Sequence, residues 1–319
     1  MSDRLTEQAD ISRRRAVQRA LAGEWPGRLL RGELVIDDAF VRDMIGLEGE
    51  AIPWAARHAL LQRLGHDLVV VSFSHGWGSP EQPDQEDALY LLRQWRSETD
   101  LWTFALIDGP FSAAAKAWGW RQAMIRLTQG PPDVLRFMAE AVVEQAEFVQ
   151  RLAAAGADGI LLGDDIAYRR NVYVRPEALR VSYFPYLTAL VDTCQRAGLP
   201  VVFHSDGNLW EILDDLLAAG INGIQGLEPA AGMSLAGARA RVGPELCLWG
   251  NVDVGWLAQP RPAEEITQEV SRLLAPLAGT PVILGTSGGL MAGLPGVNVE
   301  AMFSAPLAAH QAQKDANPG

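Results

Sequence analysis

Three segments repeat one order of features and decide the fold class: AAAGADGILLGDD at 153–165, QRAGLPVVFHSDG at 195–207 and LAAGINGIQGLEP at 217–229. In each segment a helical pattern ends at a glycine, a short apolar run follows, and a polar loop comes next. Glycine directly after a helical pattern is typical of a helix end. Apolar runs that do not alternate with polar residues are typical of strands buried on both faces of a parallel sheet. Each segment therefore predicts a helix end, a strand and a polar loop.

The same alternation extends over the whole chain. Apolar runs predict eight strands, at residues 30–36, 67–73, 101–107, 159–162, 200–204, 223–227, 246–250 and 281–285. Helical spacing predicts helices at 12–22, 38–47, 133–155, 211–219 and 263–277. Repeated βα units form either an open doubly wound sheet or a closed barrel. Eight strands favour the barrel, and no G-x-G-x-x-G opens a helix after a strand.

We therefore predict the α/β class, with residues 1–319 as a single (β/α)8 TIM barrel and residues 1–11 and 311–319 as flexible ends. The 27 Lys and Arg against 39 Asp and Glu give a formal net charge of −12. That balance argues against a nucleic-acid partner, because phosphate binding needs clustered cations. No apolar run reaches the roughly 20 residues that span a bilayer. With only two cysteines, the composition indicates a cytoplasmic protein without membrane partners.

Polar side chains follow seven of the predicted strands, where TIM barrels carry their active sites. Candidate catalytic residues are Asp164, Asp165, Tyr168, His204 and Asp206. Candidate substrate-binding residues are Ser74, His75, Trp77, Asp108, Asn208, Asn251, Asp253 and Ser287. Helix capping explains Asp164 or Asp165 equally well, and it explains Asn208 better than substrate binding does. Capping does not explain why His, Tyr and Glu occur at the same ends.

His204, Asp206 and Glu228 admit two chemical interpretations. They could bind a divalent metal through nitrogen and oxygen. They could instead hold a neutral small-molecule substrate by hydrogen bonds, with His204 as acid or base. A third interpretation is structural, with His204 satisfied by a buried neighbour.

Several segments resemble the uroporphyrinogen decarboxylase superfamily, which also contains corrinoid-dependent methyltransferases. They are RRRAVQRALAGEWPGRLLRGEL at 13–34, GDDIAY at 163–168, HSDGNLWEILDDLLAAGINGIQGLEP at 204–229, LWGNVDV at 248–254 and PVILGTSGGLMAGLPGVNVEAM at 281–302. The resemblance covers nearly the whole chain. It implies a (β/α)8 barrel, often a homodimer, with its site at the carboxyl ends of the strands.

The sequence departs from both branches of that superfamily. The decarboxylases carry an R-Q-A-G-R segment that grips substrate carboxylates, whereas Arg28 and Arg31 are the nearest cations here. The thiol-using methyltransferases bind zinc through His-x-Cys and a late Cys. In this chain Asp206 and Gly288 stand at the cysteine positions, so zinc would lack its usual thiolate ligands.

The resemblance and these departures together favour a methyltransferase that acts on a small methylated compound. Methylcobamide or tetrahydrofolate would then be the methyl carrier, and a corrinoid protein would be a partner. The alternatives are a porphyrinogen decarboxylase and a non-catalytic binding member of the family. The acidic residues predicted at the strand ends suit a neutral or cationic substrate better than a polycarboxylated tetrapyrrole.

Overall fold

Eight parallel strands roll into a nearly closed barrel in the computed structural model, which describes residues 12–49, 51–74 and 84–305. The barrel strands are β1 (Leu30–Arg31), β2 (Leu68–Ser72), β3 (Trp102–Asp108), β4 (Gly159–Gly163), β7 (Val201–Ser205), β8 (Gly223–Gly226), β9 (Cys247–Val252) and β10 (Val282–Thr286). A two-stranded hairpin, β5 (Ala167–Tyr168) and β6 (Asn171–Val172), follows β4. The neighbours run in the order β1-β10-β9-β8-β7-β4-β3-β2. This order confirms the predicted TIM barrel.

The helices surround the barrel in the expected alternation. They are α1 (Arg13–Leu21), α2 (Asp38–Ile45), α3 (Trp54–Arg63), α4 (Gln85–Glu98), α5 (Pro110–Trp118), α6 (Trp120–Gln129), α7 (Pro132–Ala155), α8 (Pro176–Ser182), α9 (Phe184–Arg196), α10 (Leu213–Ala218), α11 (Leu235–Val242), α12 (Val254–Leu257), α13 (Ala263–Leu274) and α14 (Gly296–Ser304). The helix predicted at 263–277 ends earlier, and Ala275–Leu277 forms a 3₁₀ turn instead. Pro276 lies in that turn, and proline cannot donate the hydrogen bond that would continue an α-helix.

The first strand is shorter than its apolar run predicts. Beyond Arg31, the Gly32 carbonyl accepts a hydrogen bond from the Trp249 indole at 2.9 Å inside the barrel. The ladder resumes only as an isolated bridge between Ile36 and Leu290. Because Gly32 gives its carbonyl to a side chain, the regular ladder stops there and β1 covers only two residues.

Helix α1 closes the base of the barrel, the end where the strands begin. Its buried residues Ala16, Val17 and Leu21 pack on the inner side chains of the barrel, including Trp102 and Trp249. A second and larger core fills the space between the barrel and the outer helices. The carboxyl ends of the strands, which we call the mouth, lie at the other end of the barrel from α1.

No helix in the described ranges is both long enough and apolar enough to cross a membrane. The predicted site residues His75 and Trp77 lie outside the described residues, as do the predicted flexible ends at 1–11 and 311–319.

Candidate active site

A cavity of about 280 Å³ lies at the mouth, above the inner core. Leu34 and Leu106 belong to that inner core and also line the cavity, so part of its wall is apolar. Asp108, Asp165 and His204 line its polar side. The cavity therefore combines apolar contact with groups that can accept or transfer protons, as small-molecule sites do.

Asp165, His204 and Asp206 form the polar centre of this site. His204 lies at the end of β7 and is only 9% exposed. Its Nε2 atom is 3.7 Å from Oδ1 of Asp165. One carboxylate oxygen from each aspartate and one ring nitrogen of His204 all lie within 4.8 Å of one another. The Asp206 N–H donates to Asp165 Oδ1 at 2.9 Å, which ties the β4 and β7 loops together.

Glu228 lies beside this centre. We call the three carboxylates of Asp165, Asp206 and Glu228 the acidic arc. The Glu228 carboxylate accepts a hydrogen bond from the Gly207 N–H at 2.9 Å. Burial raises the pKa of Asp206 above its usual value, His204 opposes the shift, and Asp165 and Glu228 add to it. These carboxylates make the mouth attractive to a proton or a cation.

The hairpin β5–β6 positions two tyrosines over the acidic arc. Gly207 packs against its backbone, where a side chain would come within 2.6 Å of Ala167 and Tyr168, and its φ of +89° also favours glycine. The rings of Tyr168 and Tyr173 lie 5.4 Å apart and are 42% and 38% exposed. Burial, followed by the nearby carboxylates, raises the pKa of Tyr173.

Asp164 points away from the cavity and is fully buried. It accepts hydrogen bonds from the N–H groups of Phe111 and Ser112, at 3.0 and 2.7 Å, and from the Tyr183 hydroxyl at 2.8 Å. Burial raises its pKa to about 7, and these hydrogen bonds act against that shift. The structure thus gives Asp164 a capping contact at the start of α5 and places Asp165, its neighbour, at the cavity.

The other predicted binding residues lie in different surroundings. Ser74 donates to Asp108 at the cavity wall. The Asn208 side chain accepts from the Trp210 N–H and donates to the Ala231 carbonyl, so it shapes its own loop.

A smaller cavity of about 220 Å³ beside α12 and α13 contains two more predicted binding residues. Asn251 donates to the Leu227 carbonyl at 2.8 Å, while its own side-chain oxygen is buried and has no hydrogen-bond partner within the described part of the chain. Asp253 accepts from the Trp256 N–H at 2.7 Å and caps α12. Ser287 is buried, and its N–H donates to the Val252 carbonyl. None of these three lines the cavity at His204.

The metal ligands expected from sequence were His204, Asp206 and Glu228. Within the described residues, the group whose geometry could hold a metal contains Asp165 in place of Glu228. One nitrogen and two oxygens suit a hard divalent cation. A zinc–thiolate centre does not fit, since Cys194 lies in α9 and Cys247 in β9, both buried. Burial raises the pKa of each thiol to about 12.

The two arginines nearest to the decarboxylase motif lie at the base. Arg28 pairs with Asp67 at 2.5 Å, just before β2 begins. Arg31 donates to the Phe303 carbonyl at 2.8 Å. Among the described residues that line the His204 cavity, Lys116 is the one cation. The described mouth therefore offers little to hold a substrate with many carboxylates.

Sequence reasoning missed three residues of the site, namely Lys116, Tyr173 and Gln225. Gln225 is fully buried in β8 and contacts the His204 ring. A polar residue in the middle of the apolar strand GIQG at 223–226 was the available signal. Tyr173 and Lys116 carried no comparable signal, because their positions depend on how the hairpin and α5 pack.

The fold and the mouth define a TIM-barrel protein with a polar pocket at its strand ends. Residues 81–307 match the family described as uroporphyrinogen decarboxylase (URO-D), and the chain belongs to that family. The resemblance seen in the sequence is thereby confirmed. No curated protein matches the chain.

Solved structures share the fold. A methyltransferase from Methanosarcina mazei is similar with a TM-score of 0.72 and 19% identity, covering 92% of this chain and 98% of that one. A D-psicose 3-epimerase from Clostridium cellulolyticum H10 is similar with a TM-score of 0.47 and 11% identity, covering 80% and 92%. At 19% identity, the similarity to the methyltransferase supports a common fold and nothing finer.

Proposed function

We propose that this protein is a methyltransferase that moves a methyl group between a small methylated compound and a corrinoid or tetrahydrofolate carrier. The observation that carries the proposal is the imidazole of His204 beside Asp165 and Asp206, at a cavity with an apolar wall. Membership in the URO-D family and the fold shared with the Methanosarcina mazei methyltransferase support it.

In the proposed reaction, the carrier supplies the nucleophile that accepts the methyl group. The apolar wall at Leu34 and Leu106 holds the methylated end of the substrate and excludes water. The heteroatom that loses the methyl group keeps the bonding electron pair. The protonated form of His204, beside Asp165 and Asp206, donates a proton to that leaving atom, as a general acid does.

The acidic arc and the two hairpin tyrosines define the preferred substrate class. A neutral or cationic compound, such as a methylated amine, gains from the carboxylates of Asp165, Asp206 and Glu228. The exposed faces of Tyr168 and Tyr173 add cation–π attraction of about 0.5–1 kcal/mol. A polyanionic porphyrinogen meets repulsion from the same groups.

The proposal is tested by incubating the full chain with methylcobalamin or methyltetrahydrofolate and a panel of small acceptors. This assay runs the reaction in reverse: the acceptor takes the methyl group from the carrier and gives its proton to His204, which then acts as the general base. Methyl transfer would produce the cob(I)alamin spectrum or a change in the pterin absorbance. His204→Ala and Asp206→Asn should each lower turnover by about 100-fold or more, the usual size of a general-acid contribution. The matched control is Asp192→Asn, because Asp192 is an exposed aspartate on α9, and this variant should retain wild-type turnover.

Three outcomes would contradict the proposal. Loss of carboxylates from uroporphyrinogen, with no response to methyl donors, would favour the decarboxylase that the family's description names. Binding of donors without turnover would indicate a non-catalytic member. Stoichiometric metal in the purified protein, lost in Asp165→Asn, would assign the polar centre to metal binding in place of proton donation.

A further inference from the structure

A buried hydrogen bond joins His204 to Gln225. Their strands β7 and β8 are parallel neighbours, and the two residues are directly paired in the register. His204 Nδ1 and Gln225 Oε1 lie 2.5 Å apart, and Gln225 has no solvent exposure. This contact holds the side of the ring that faces away from Asp165, because Nε2 is the atom that approaches Asp165.

The orientation of the Gln225 amide is set by its other end. Its Nε2 donates to the carbonyl oxygen of Thr286 at 3.3 Å. A carbonyl oxygen can only accept, so the NH₂ group must face Thr286 and the oxygen must face the histidine. The reversed amide would place two oxygen acceptors against each other in a buried site.

Thr286 is itself fixed in place. Its N–H and its hydroxyl donate to the two carboxyl oxygens of Glu33, at 2.9 and 2.7 Å. Glu33 is 3% exposed and follows β1. A chain of buried hydrogen bonds thus runs from Glu33 through Thr286 and Gln225 to His204.

We infer that Gln225 is a positioning residue that fixes neutral His204 as the Nδ1–H tautomer. Gln225 Oε1 is an acceptor, so the proton must sit on Nδ1 to make the hydrogen bond. The lone pair is then on Nε2, directed at the space between Asp165 and Asp206. Nε2 is consequently the atom that takes up and releases the proton at the mouth.

The inference rests on the proposed function only for the role of that proton, and its test needs no substrate. The test uses the full chain labelled with ¹⁵N-histidine, in EDTA, at a pH at which the His204 ring is neutral. Long-range ¹H–¹⁵N spectra distinguish protonated from unprotonated ring nitrogens. The chain has five histidines, and a spectrum of His204→Ala assigns the signals of His204 by difference.

We expect wild-type His204 to be protonated on Nδ1. Gln225→Met keeps the length of the side chain but removes the acceptor, so the ratio of Nδ1–H to Nε2–H should fall by about tenfold, or ~1.4 kcal/mol. Gln225→Glu restores an acceptor for Nδ1–H, and its protonated carboxyl O–H can donate to the Thr286 carbonyl in place of the amide NH₂, so this variant should restore the Nδ1–H form. The matched control is Gln195→Met, which removes an amide from α9 and should change nothing at His204.

A wild-type ring protonated on Nε2 would overturn the inference without any variant. An unchanged tautomer ratio in Gln225→Met would also overturn it. If Gln225→Met does not fold, the tautomer of His204 in the wild-type and Gln225→Glu spectra still tests the inference. A confirmed tautomer in a protein without methyltransferase activity would leave the inference standing and reject only the proposed function.

Discussion

The two ends of the barrel treat their carboxylates differently. At the base, Asp67 accepts hydrogen bonds from Arg28 and from the Arg31 N–H. Its own N–H donates to the Arg31 carbonyl, so this residue joins β1 to β2, the two strands at the ends of the sheet.

Asp158, also at the base, lies between two further arginines. Arg14 of α1 pairs with it at 3.0 Å and Arg96 of α4 at 3.3 Å. These ion pairs fasten the first helix to the beginning of β4. The charges at the base therefore hold the barrel closed.

At the mouth, Asp165, Asp206 and Glu228 have no arginine or lysine within 4 Å in the parts of the chain that the structure describes. Their partners are backbone N–H groups and the ring of His204. The carboxylates at the base form ion pairs with arginines of the protein, whereas those at the mouth remain available to a ligand. TIM barrels commonly separate stability from activity in this way.

The largest effect on stability should follow from Asp67→Ala at the base. The variant removes a carboxylate that is 2% exposed and that accepts hydrogen bonds from the Arg31 N–H and from two nitrogens of Arg28. We expect a loss of about 3 kcal/mol in the free energy of unfolding, measured by urea denaturation. Asp192→Ala, on the surface of α9, is the control and should change it by less than about 0.5 kcal/mol. A loss below about 1 kcal/mol for Asp67→Ala would show that the base does not depend on this pair.

The next effect concerns His66, which is also at the base. Its ring is buried against Phe303, and neither ring nitrogen has a hydrogen-bond partner among the residues that the structure describes. Burial, with a smaller contribution from Arg31, lowers its pKa from 6.5 to about 3. Between these values the unfolded chain binds a proton that the folded protein does not. The free energy of unfolding therefore falls as the pH drops below 6.5.

His66→Phe should remove that dependence, which amounts to roughly 2 kcal/mol between pH 6.5 and pH 5. The measurement is urea denaturation of wild type and variant across this range. Phe303→Leu changes the same packing without removing the titrating group, so it should keep the wild-type slope. Parallel slopes for wild type and His66→Phe would contradict the prediction.

The sequence contained enough information for the barrel but only for part of the mouth. Apolar runs located all eight strands because strands buried on both faces have no polar alternation. The end of β1 could not be predicted, since it depends on the contact between Gly32 and Trp249 from the far side of the barrel. Burial periodicity determines the fold, and contacts between distant segments determine the ends of its elements.

The adjacent residues Asp164 and Asp165 show the same limit at the site. The sequence predicts the same roles for both. In the structure, Asp164 accepts a hydrogen bond from the start of α5, whereas Asp165 lines the cavity. Asp165 joins His204 and Asp206 only because β4 and β7 are neighbours in the sheet. Glu228 was the predicted third ligand, but its carboxylate accepts a hydrogen bond from the Gly207 N–H instead. Both neighbours of β7 therefore bring a carboxylate to the mouth, and the hydrogen bonds of the loops, which the sequence does not state, decide which of the two lies at His204.

Glu33 lies beneath the mouth and titrates in the opposite sense to His66. Burial raises its pKa from 4.5 to about 8, against the two hydrogen bonds from Thr286. Between these values the folded protein holds a proton that the unfolded chain has lost. The free energy of unfolding therefore falls as the pH rises from 4.5 to 8.

Glu33→Gln keeps the shape of the group and cannot ionise. The difference in the free energy of unfolding between this variant and wild type should increase by about 2 kcal/mol from pH 5.5 to pH 7, measured by urea denaturation. At pH 4.5 and below the advantage should vanish, and this is the internal control. An advantage that does not change with pH would mean that Glu33 does not titrate in this range.

The smallest effect should come from Asp206→Asn at the mouth, and its sign opposes that of Asp67→Ala. The pKa of Asp206 is raised by burial and by Asp165 and Glu228, so its ionised form is disfavoured in the folded protein. Above the unfolded-state pKa, the cost of ionising Asp206 in the folded protein lowers the stability of wild type. The asparagine variant does not ionise and therefore lacks this cost. Because the side chain still reaches solvent although the mouth partly desolvates its carboxylate, screening should limit the gain in the free energy of unfolding at pH 7 to below ~1 kcal/mol. The gain should shrink further in about 0.5 M salt. The variant should thus unfold at slightly higher urea while it loses turnover. A loss of stability in Asp206→Asn would mean that the mouth, like the base, uses its carboxylates to hold the barrel together.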